Sequence, residues 1–331
     1  LKESNLKTFS RIGSRATFGM ASLELIKDYP NLNIITADVS TSAGLDKFKN
    51  KYPENYIDVG IAEQNMIGIA AGLANEGFPV ITTTFAPFQT MRCCEQIKVN
   101  LGYMKHKIIM IGIASGLVLG NLGYTHCCVE DVGVLRSIPN LTIVSPADSL
   151  EVVKVLQAVL KSKNNSVYIR LTGGTNNPMV YNKDYDLEIG KSIELINGND
   201  ITIFCSGTMV YNSIEASKKL KEERINARVI NMHTIKPVDK KAIEDSLSSK
   251  LLVSIEEHNV IGGLGSSISE NLSTFSNSPK LLSLGVQDEY TKGGDYKYLL
   301  SRHKLDVDSI TKKILEVYKK VWVLKDTKKL L

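Results

Sequence analysis

The chain lacks the features that mark several large protein classes. Its 331 residues contain one tryptophan and five cysteines: Cys93, Cys94, Cys127, Cys128 and Cys205. Five thiols at this length make no disulfide framework, so reduced cysteines in a cytoplasmic protein are the expectation. The vicinal pairs are spaced CC and CC rather than CxxC, which argues against a four-thiolate zinc site. No apolar run approaches about 20 residues, so no membrane span is expected. The opening residues, LKESNLKTFSRIGSR, have no apolar centre of the secretory kind. Charge is nearly balanced: 40 Lys and Arg stand against 35 Asp and Glu, a net +5. No arginine-rich face or basic block of the kind that grips nucleic acid is present. The glycines of IGGLGSS (261–267) are not spaced as a dinucleotide fingerprint, and the downstream acidic residue is missing. A tight strand-to-helix turn is the plainer reading.

What remains is a soluble α/β composition, 43% hydrophobic and 23% charged, long enough for two domains. Short β-rich runs alternate with helical patterns: NIITA (33–37), VITTTF (80–85), KIIMIGIA (107–114), 140–145 and SVYIRL (166–171). The near-continuous apolar runs suit a parallel sheet covered on both faces. A Gly- and Asn-rich stretch at 173–190 reads as interdomain, and the strand–helix alternation then resumes with ITIFC, ARVINM, LLVSIEEH and KLLSLGV. The expected fold is two three-layer α/β domains, each a mostly parallel sheet flanked by helices. The expected divisions are 1–175, a linker at 176–190, 191–317, and a charged tail at 318–331. Residues 89–99 read as one helix, Asn197-Gly198 as a hairpin-like turn, and HTIKPVDKKAIEDSL (233–247) as a turn and helix. The last segment begins helically, with Ile310, Ile314, Val317 and Val321 on one face. Beyond Trp322 it is expected to lie on the surface or fray.

The chain is organised around 58–88, DVGIAEQNMIGIAAGLANEGFPVITTTFAPF. Glu63 stands where a helix begins, and unpaired N–H groups there favour a negative charge. The glycines weaken the helix that follows by ~1 kcal/mol each relative to alanine, so tertiary packing must stabilise it. On residues alone, Glu63 is a capping carboxylate and Phe85 and Phe88 are core. Asp38 and Ser42 follow the end of a strand, where α/β sheets hold ligands, or else they shape a turn. His126 closes a glycine loop, either as a proton carrier or as packing. Arg170, near a strand end, offers a donor fork suited to phosphate or is a plain surface arginine.

GIAEQNMIG followed by TTTFAPFQT resembles the pyrimidine-binding domain of transketolase and its relatives. TIKPVD, VSIEEHNVIGGLGS and YTKGGDYKYLL resemble the C-terminal domain of the same family. The resemblance covers roughly residues 10–315. It implies that Glu63 binds the aminopyrimidine of thiamine diphosphate and promotes its reactive tautomer, with Phe85 and Phe88 stacking on that ring. Met91 stands where a third aromatic is common, and a methionine can also contact a ring. Asp38 falls near the cofactor or substrate channel. His126 matches a histidine that reaches the reacting oxygen. Arg170, Ser42 and Arg15 match substrate-phosphate positions, and Glu257 and His258 match a pair near the subunit interface.

The sequence also departs from that pattern. Ala114 replaces a common histidine, Leu122 an aspartate that reads a substrate hydroxyl, and Asn65 another histidine. These departures argue against ordinary pentose-phosphate transketolase activity. No Gly-Asp-Gly of the diphosphate-binding domain occurs. The resemblance thus implies one subunit of a split enzyme. Its partner would be an N-terminal subunit that binds the diphosphate through Mg2+ or Ca2+, and the assembly an α2β2 heterotetramer built on a dimer of this chain. The implied reaction is transfer of a two-carbon ketol unit from a ketose to an aldehyde or keto sugar, open to a nucleotide-linked acceptor. The alternatives are the beta subunit of a 2-oxoacid dehydrogenase, a deoxyxylulose-phosphate-synthase-like condensing enzyme, and a non-catalytic interaction subunit.

Overall fold

A computed structural model describes residues 6–162 and 165–327. The first half supplies strands β1 (Asn33–Thr36), β2 (Tyr56–Asp58), β3 (Val80–Phe85), β4 (Ile109–Ser115), β5 (Leu141–Val144) and β6 (Ser166–Thr172). The helices between them are α1 (Leu6–Asp28), α2 (Asp46–Lys51), α3 (Glu63–Asn75), α4 (Ala86–Gln89), α5 (Cys94–Gln96), α6 (Asp131–Arg136) and α7 (Ser149–Lys161). The second half adds β7 (Ile193–Ile196), β8 (Ile201–Cys205), β9 (Ala227–Asn231), β10 (Thr234–Lys236), β11 (Leu251–Asn259) and β12 (Leu281–Val286). Its helices are α8 (Met209–Glu222), α9 (Lys240–Glu244), α10 (Leu264–Leu272), α11 (Tyr296–Arg302) and α12 (Val307–Thr327).

Two sheets form. The first has order β10-β5-β6-β4-β3-β1-β2, and the second β12-β11-β8-β9-β7. Both are parallel except at one edge each, where β10 runs antiparallel to β5 and β7 antiparallel to β9. Each sheet is the middle of three layers. On one face of the first, Phe18, Leu25 and Ile26 of α1 meet Val155, Leu156 and Val159 of α7 over the strands. On the other face, Met66, Ile67 and Ala70 of α3 pack with Val132 and Leu135 of α6. The second sheet is covered by Val210 and Leu220 of α8 with Ile310 and Ile314 of α12. Ile243 of α9 and Ile268 of α10 cover its opposite face. Both are the expected doubly covered α/β layers.

Three local expectations need correction. Residues 89–99 are not one helix: α4 ends at Gln89, a turn follows, and α5 runs into a π-helical stretch, Ile97–Tyr103. Thr90 and the vicinal cysteines, weak helix formers, stand at the break. Asn197-Gly198 closes no hairpin, because β7 pairs with β9 and not with β8. In HTIKP, Thr234–Lys236 is a strand that joins the first sheet. The terminal helix continues past Trp322 to Thr327, and the rest of the expected tail, 328–331, lies outside the described residues. Ile310, Ile314 and Val317 are buried as the periodicity predicts. Among the described residues no helix is long and apolar enough to cross a membrane.

Candidate active site

Strands β1, β3 and β4 are parallel neighbours, so their carboxyl ends share one edge of the sheet. There the segments that follow them converge, as ligand sites in such sheets do. Glu63 is the first residue of α3 and is 5% exposed. Four N–H groups at a helix start lack helical partners, so its charge is favoured there. Just upstream, Asp58 accepts from the Gly60 and Asp38 N–H groups at 2.9 and 3.1 Å. Burial pushes the Asp58 carboxyl up, but these backbone bonds outweigh it and hold it below the usual range.

Phe85 ends β3, and Phe88 follows within α4. Their rings meet edge to face, with centroids 6.3 Å apart. His126 stands against both, 6.1 Å from Phe85 and 5.5 Å from Phe88, again edge to face. Thr125 Oγ lies 3.0 Å from its Nδ1. Four residues after Phe88, the Arg92 guanidinium lies 3.9 Å over the Phe88 ring and donates to Glu63 Oε1 at 2.5 Å. Glu63, Phe85, Phe88, His126 and Arg92 thus form one connected group. The sequence reading does not single out Arg92, although its four-residue spacing from Phe88 is a signal. Met91, beside it, is 41% exposed.

The His126 loop is held from the second sheet. Gly116 and Cys128 exchange backbone hydrogen bonds of 2.7 and 2.9 Å at its base. Glu257 of β11 accepts from the Leu117 N–H, Tyr296 Oη and Thr208 Oγ, each at 2.7 Å. Gly116 has φ +77, and a Cβ there would sit 2.2 Å from Glu257 Oε1, so this contact requires glycine. Burial raises the Glu257 carboxyl above its ordinary value. Glu257 and His258 are 1% exposed. They are interior residues of this chain.

The expected substrate residues separate. The turn at 39–45 packs against α1 so closely that a Cβ on Gly19 would meet the Gly44 carbonyl oxygen at 2.0 Å. This brings the half-buried Arg15 and Ser42 into one neighbourhood. Burial lowers the Arg15 pKa. Asp38 is exposed at the end of β1, with φ 55. Arg170 is not open at the sheet edge as expected but sealed inside the protein. Its side chain is 3% exposed and donates Nε–H to both Asp131 oxygens and Nη2–H to the Cys128 and Glu257 carbonyls. Burial disfavours its charge, but Asp131 more than compensates. The fork that suits phosphate has been taken inside the protein. Of the departures, Ala114 is fully buried, whereas Asn65, within α3, and Leu122, on a short turn, are exposed.

A buried carboxylate at a helix start, linked through Arg92 to an aromatic ring, fits the aminopyrimidine half of thiamine diphosphate. The carboxylate can bond a ring nitrogen and the aromatic can take the ring's face. Among the described residues no group of three or more His, Cys, Asp or Glu is placed to hold a metal ion.

Comparison with known proteins gives the same picture. "Transketolase, pyrimidine binding domain" matches residues 10–176, and "Transketolase, C-terminal domain" matches 190–310. The chain is 34% identical over 310 residues to "Putative transketolase C-terminal section" of Methanocaldococcus jannaschii, covering 93% of this chain and 97% of the relative. It is 35% identical over 311 residues to an apulose-4-phosphate transketolase subunit of Phocaeicola vulgatus, covering 93% and 98%. A solved structure described as "Split gene transketolase, inactive beta4 tetramer" superposes with TM-score 0.83 at 31% identity, over 93% of this chain and 98% of that one. The chain therefore belongs to the thiamine-diphosphate-dependent transketolase family, and it corresponds to the pyrimidine-binding and C-terminal domains that its split relatives carry as a subunit.

Proposed function

We propose that this chain is the pyrimidine-binding subunit of a split transketolase that moves a two-carbon ketol unit from a ketose to an aldehyde or keto sugar. The observation that carries the reading is the Glu63 carboxylate, buried at the head of α3 and joined through Arg92 to Phe88, with His126 against Phe85 and Phe88. Thiamine diphosphate, when bound, supplies the nucleophilic carbon and the electron sink for breaking the bond next to the ketose carbonyl. Glu63 holds the aminopyrimidine through a ring nitrogen and shifts its proton balance. Phe85 and Phe88 fix the plane of the ring, with Met91 at its edge. His126 moves a proton at the substrate oxygen, a task an imidazole can perform as acid or base. Asp38, with Ser42 and Arg15, lines the approach from the end of β1, and Arg15 and Ser42 hold an anionic sugar end.

The diphosphate and its Mg2+ or Ca2+ are bound mainly by an N-terminal partner subunit. Two copies of this chain form the core of the α2β2 assembly, and the cytoplasm is its compartment. The α3 surface supports such docking. Ala70 and Ala71 are buried within the chain, whereas Gly68 and Gly72 point outward into open space. Apolar Leu122 and Ala114, where hydroxyl- and substrate-reading groups are usual, favour an acceptor other than ribose 5-phosphate. A buried hydroxyl without a partner costs ~1–3 kcal/mol.

The test is reconstitution with the partner subunit, thiamine diphosphate and Mg2+. Ketol transfer from xylulose 5-phosphate is then measured to ribose 5-phosphate and to a panel of deoxy, oxidised and nucleotide-linked sugars. No transfer to any acceptor sinks the reading. Ribose 5-phosphate beating the panel removes the acceptor preference.

A further inference from the structure

The group around Glu63 contains one member with no part in the chemistry above. Arg92 is 42% exposed, while the carboxylate it meets is 6% exposed. Its backbone is fixed: Gln64 Nε2–H donates to the Arg92 carbonyl at 3.0 Å, and the Arg92 N–H reaches the Pro87 carbonyl at 3.3 Å. Only the side chain is free to swing. That side chain makes the two contacts reserved for a pyrimidine. Its flat guanidinium covers Phe88 at 3.9 Å, and Nη1–H gives Glu63 a hydrogen bond of 2.5 Å. Because the guanidinium bridges the two, it covers the face of Phe88 turned toward Glu63. A ring stacked on that face and bonded to Glu63 would occupy the same volume.

We propose that Arg92 is a removable occupant of the pyrimidine seat. In the cofactor-free chain it closes the Glu63–Phe88 gap, and it must rotate outward before a planar cationic or neutral aminopyrimidine can enter. This rests on the reading of Glu63 and Phe88 as the ring-binding pair. The physical logic is substitution in kind. An empty seat would leave a buried carboxylate without a counter-charge, and a planar cation satisfies carboxylate and ring together. Arg92 also makes entry competitive, since each cofactor must first break an ion pair and a cation–π contact.

The test is binding of thiamine diphosphate with Mg2+ to the reconstituted complex, followed by calorimetry for affinity and stopped-flow fluorescence quenching for rates. Arg92→Met removes the competitor. It should bind about threefold to thirtyfold more tightly, the worth of a half-exposed ion pair plus a cation–π contact, with the gain in the association rate. Arg92→Lys keeps the charge without the flat face and should fall between. The ratio of variant to wild-type affinity should shrink as salt is raised, because the ion pair is partly screened. Unchanged or weaker binding by Arg92→Met overturns the proposal and leaves the assigned function standing; weaker binding would make Arg92 a cofactor-holding residue instead. Absence of binding by the wild-type complex removes the functional reading and this proposal together.

Discussion

Arg170 and Asp131 form a sealed pair. Nε–H of the arginine is 3.0 and 2.8 Å from the two carboxylate oxygens, and the side chains are 3% and 0% exposed. Tyr168 Oη donates to the same carboxylate at 2.7 Å. A phosphate-binding arginine would raise KM when removed. A sealed one is structural, and its loss strands a buried charge. Arg170→Ala should cost about 3–5 kcal/mol of stability, read by urea denaturation. The folded fraction should keep its KM for a phosphorylated sugar. A variant of normal stability with a raised KM would restore the substrate role.

Glu63→Gln keeps the shape of a side chain that is 6% exposed and removes its charge. In the reconstituted enzyme kcat should fall by about 10²–10⁴, the usual range for a lost acid–base group. The thermal midpoint should stay nearly constant. A kcat close to wild type would remove Glu63 from the chemistry.

His126→Asn tests the proton-carrying role proposed for the neighbouring histidine. The ring stands 5.5 Å from Phe88 and is only partly buried, so folding should tolerate the change. We expect kcat/KM for the ketose donor to drop about 10²-fold with cofactor affinity little altered. Equal losses in cofactor affinity and in kcat/KM would instead mean that His126 packs the aromatic pair.

Stability should depend on pH through His233. Burial pushes its pKa down from 6.5 to about 4, so the unfolded chain takes up its proton first as pH falls. Its contribution is fully present above pH 6.5 and is lost as pH falls through about 4, on the order of 3 kcal/mol. Asp148 works the other way. Burial raises it to about 6, so its contribution is present below the unfolded value and lost as pH rises through 6. Replacing His233 by Phe isolates the first effect. Urea denaturation at pH 7, 5 and 4 should show wild type losing ground to the variant as acid is added. A constant gap between the two would remove His233 as the cause.

Much of this was legible in the chain. Period and composition are local properties, so strands such as 107–114 and the buried face of Ile310, Ile314 and Val317 could be read directly. Glu63, Phe85 and Phe88 were marked by the family resemblance of 58–88 and not by period or composition, which read them as a cap and core. Partners distant in sequence were not readable. Asp131 claims Arg170 from 39 residues away, and Glu257 reaches Leu117 across 140. An arginine at a strand end looks the same whether it faces solvent or a buried aspartate. Arg92 could be read only in part: its four-residue spacing from Phe88 is local, but its other partner, Glu63, lies 29 residues away.

Strand β10 joins the first sheet although residues on either side of it, in β9 and β11, build the second. The order of synthesis gives this a consequence. A polypeptide emerging amino end first completes the six parallel strands β1 to β6 while Leu141–Val144 still lacks its outer partner. Domains tend to fold as they are made, yet this one stays unfinished until Lys236 has left the ribosome. Until then an apolar strand edge stands open, of the kind that recruits other chains. The nascent protein should therefore be most in need of a chaperone midway through the second half, and a chain truncated before Thr234 should yield aggregates rather than a small folded domain.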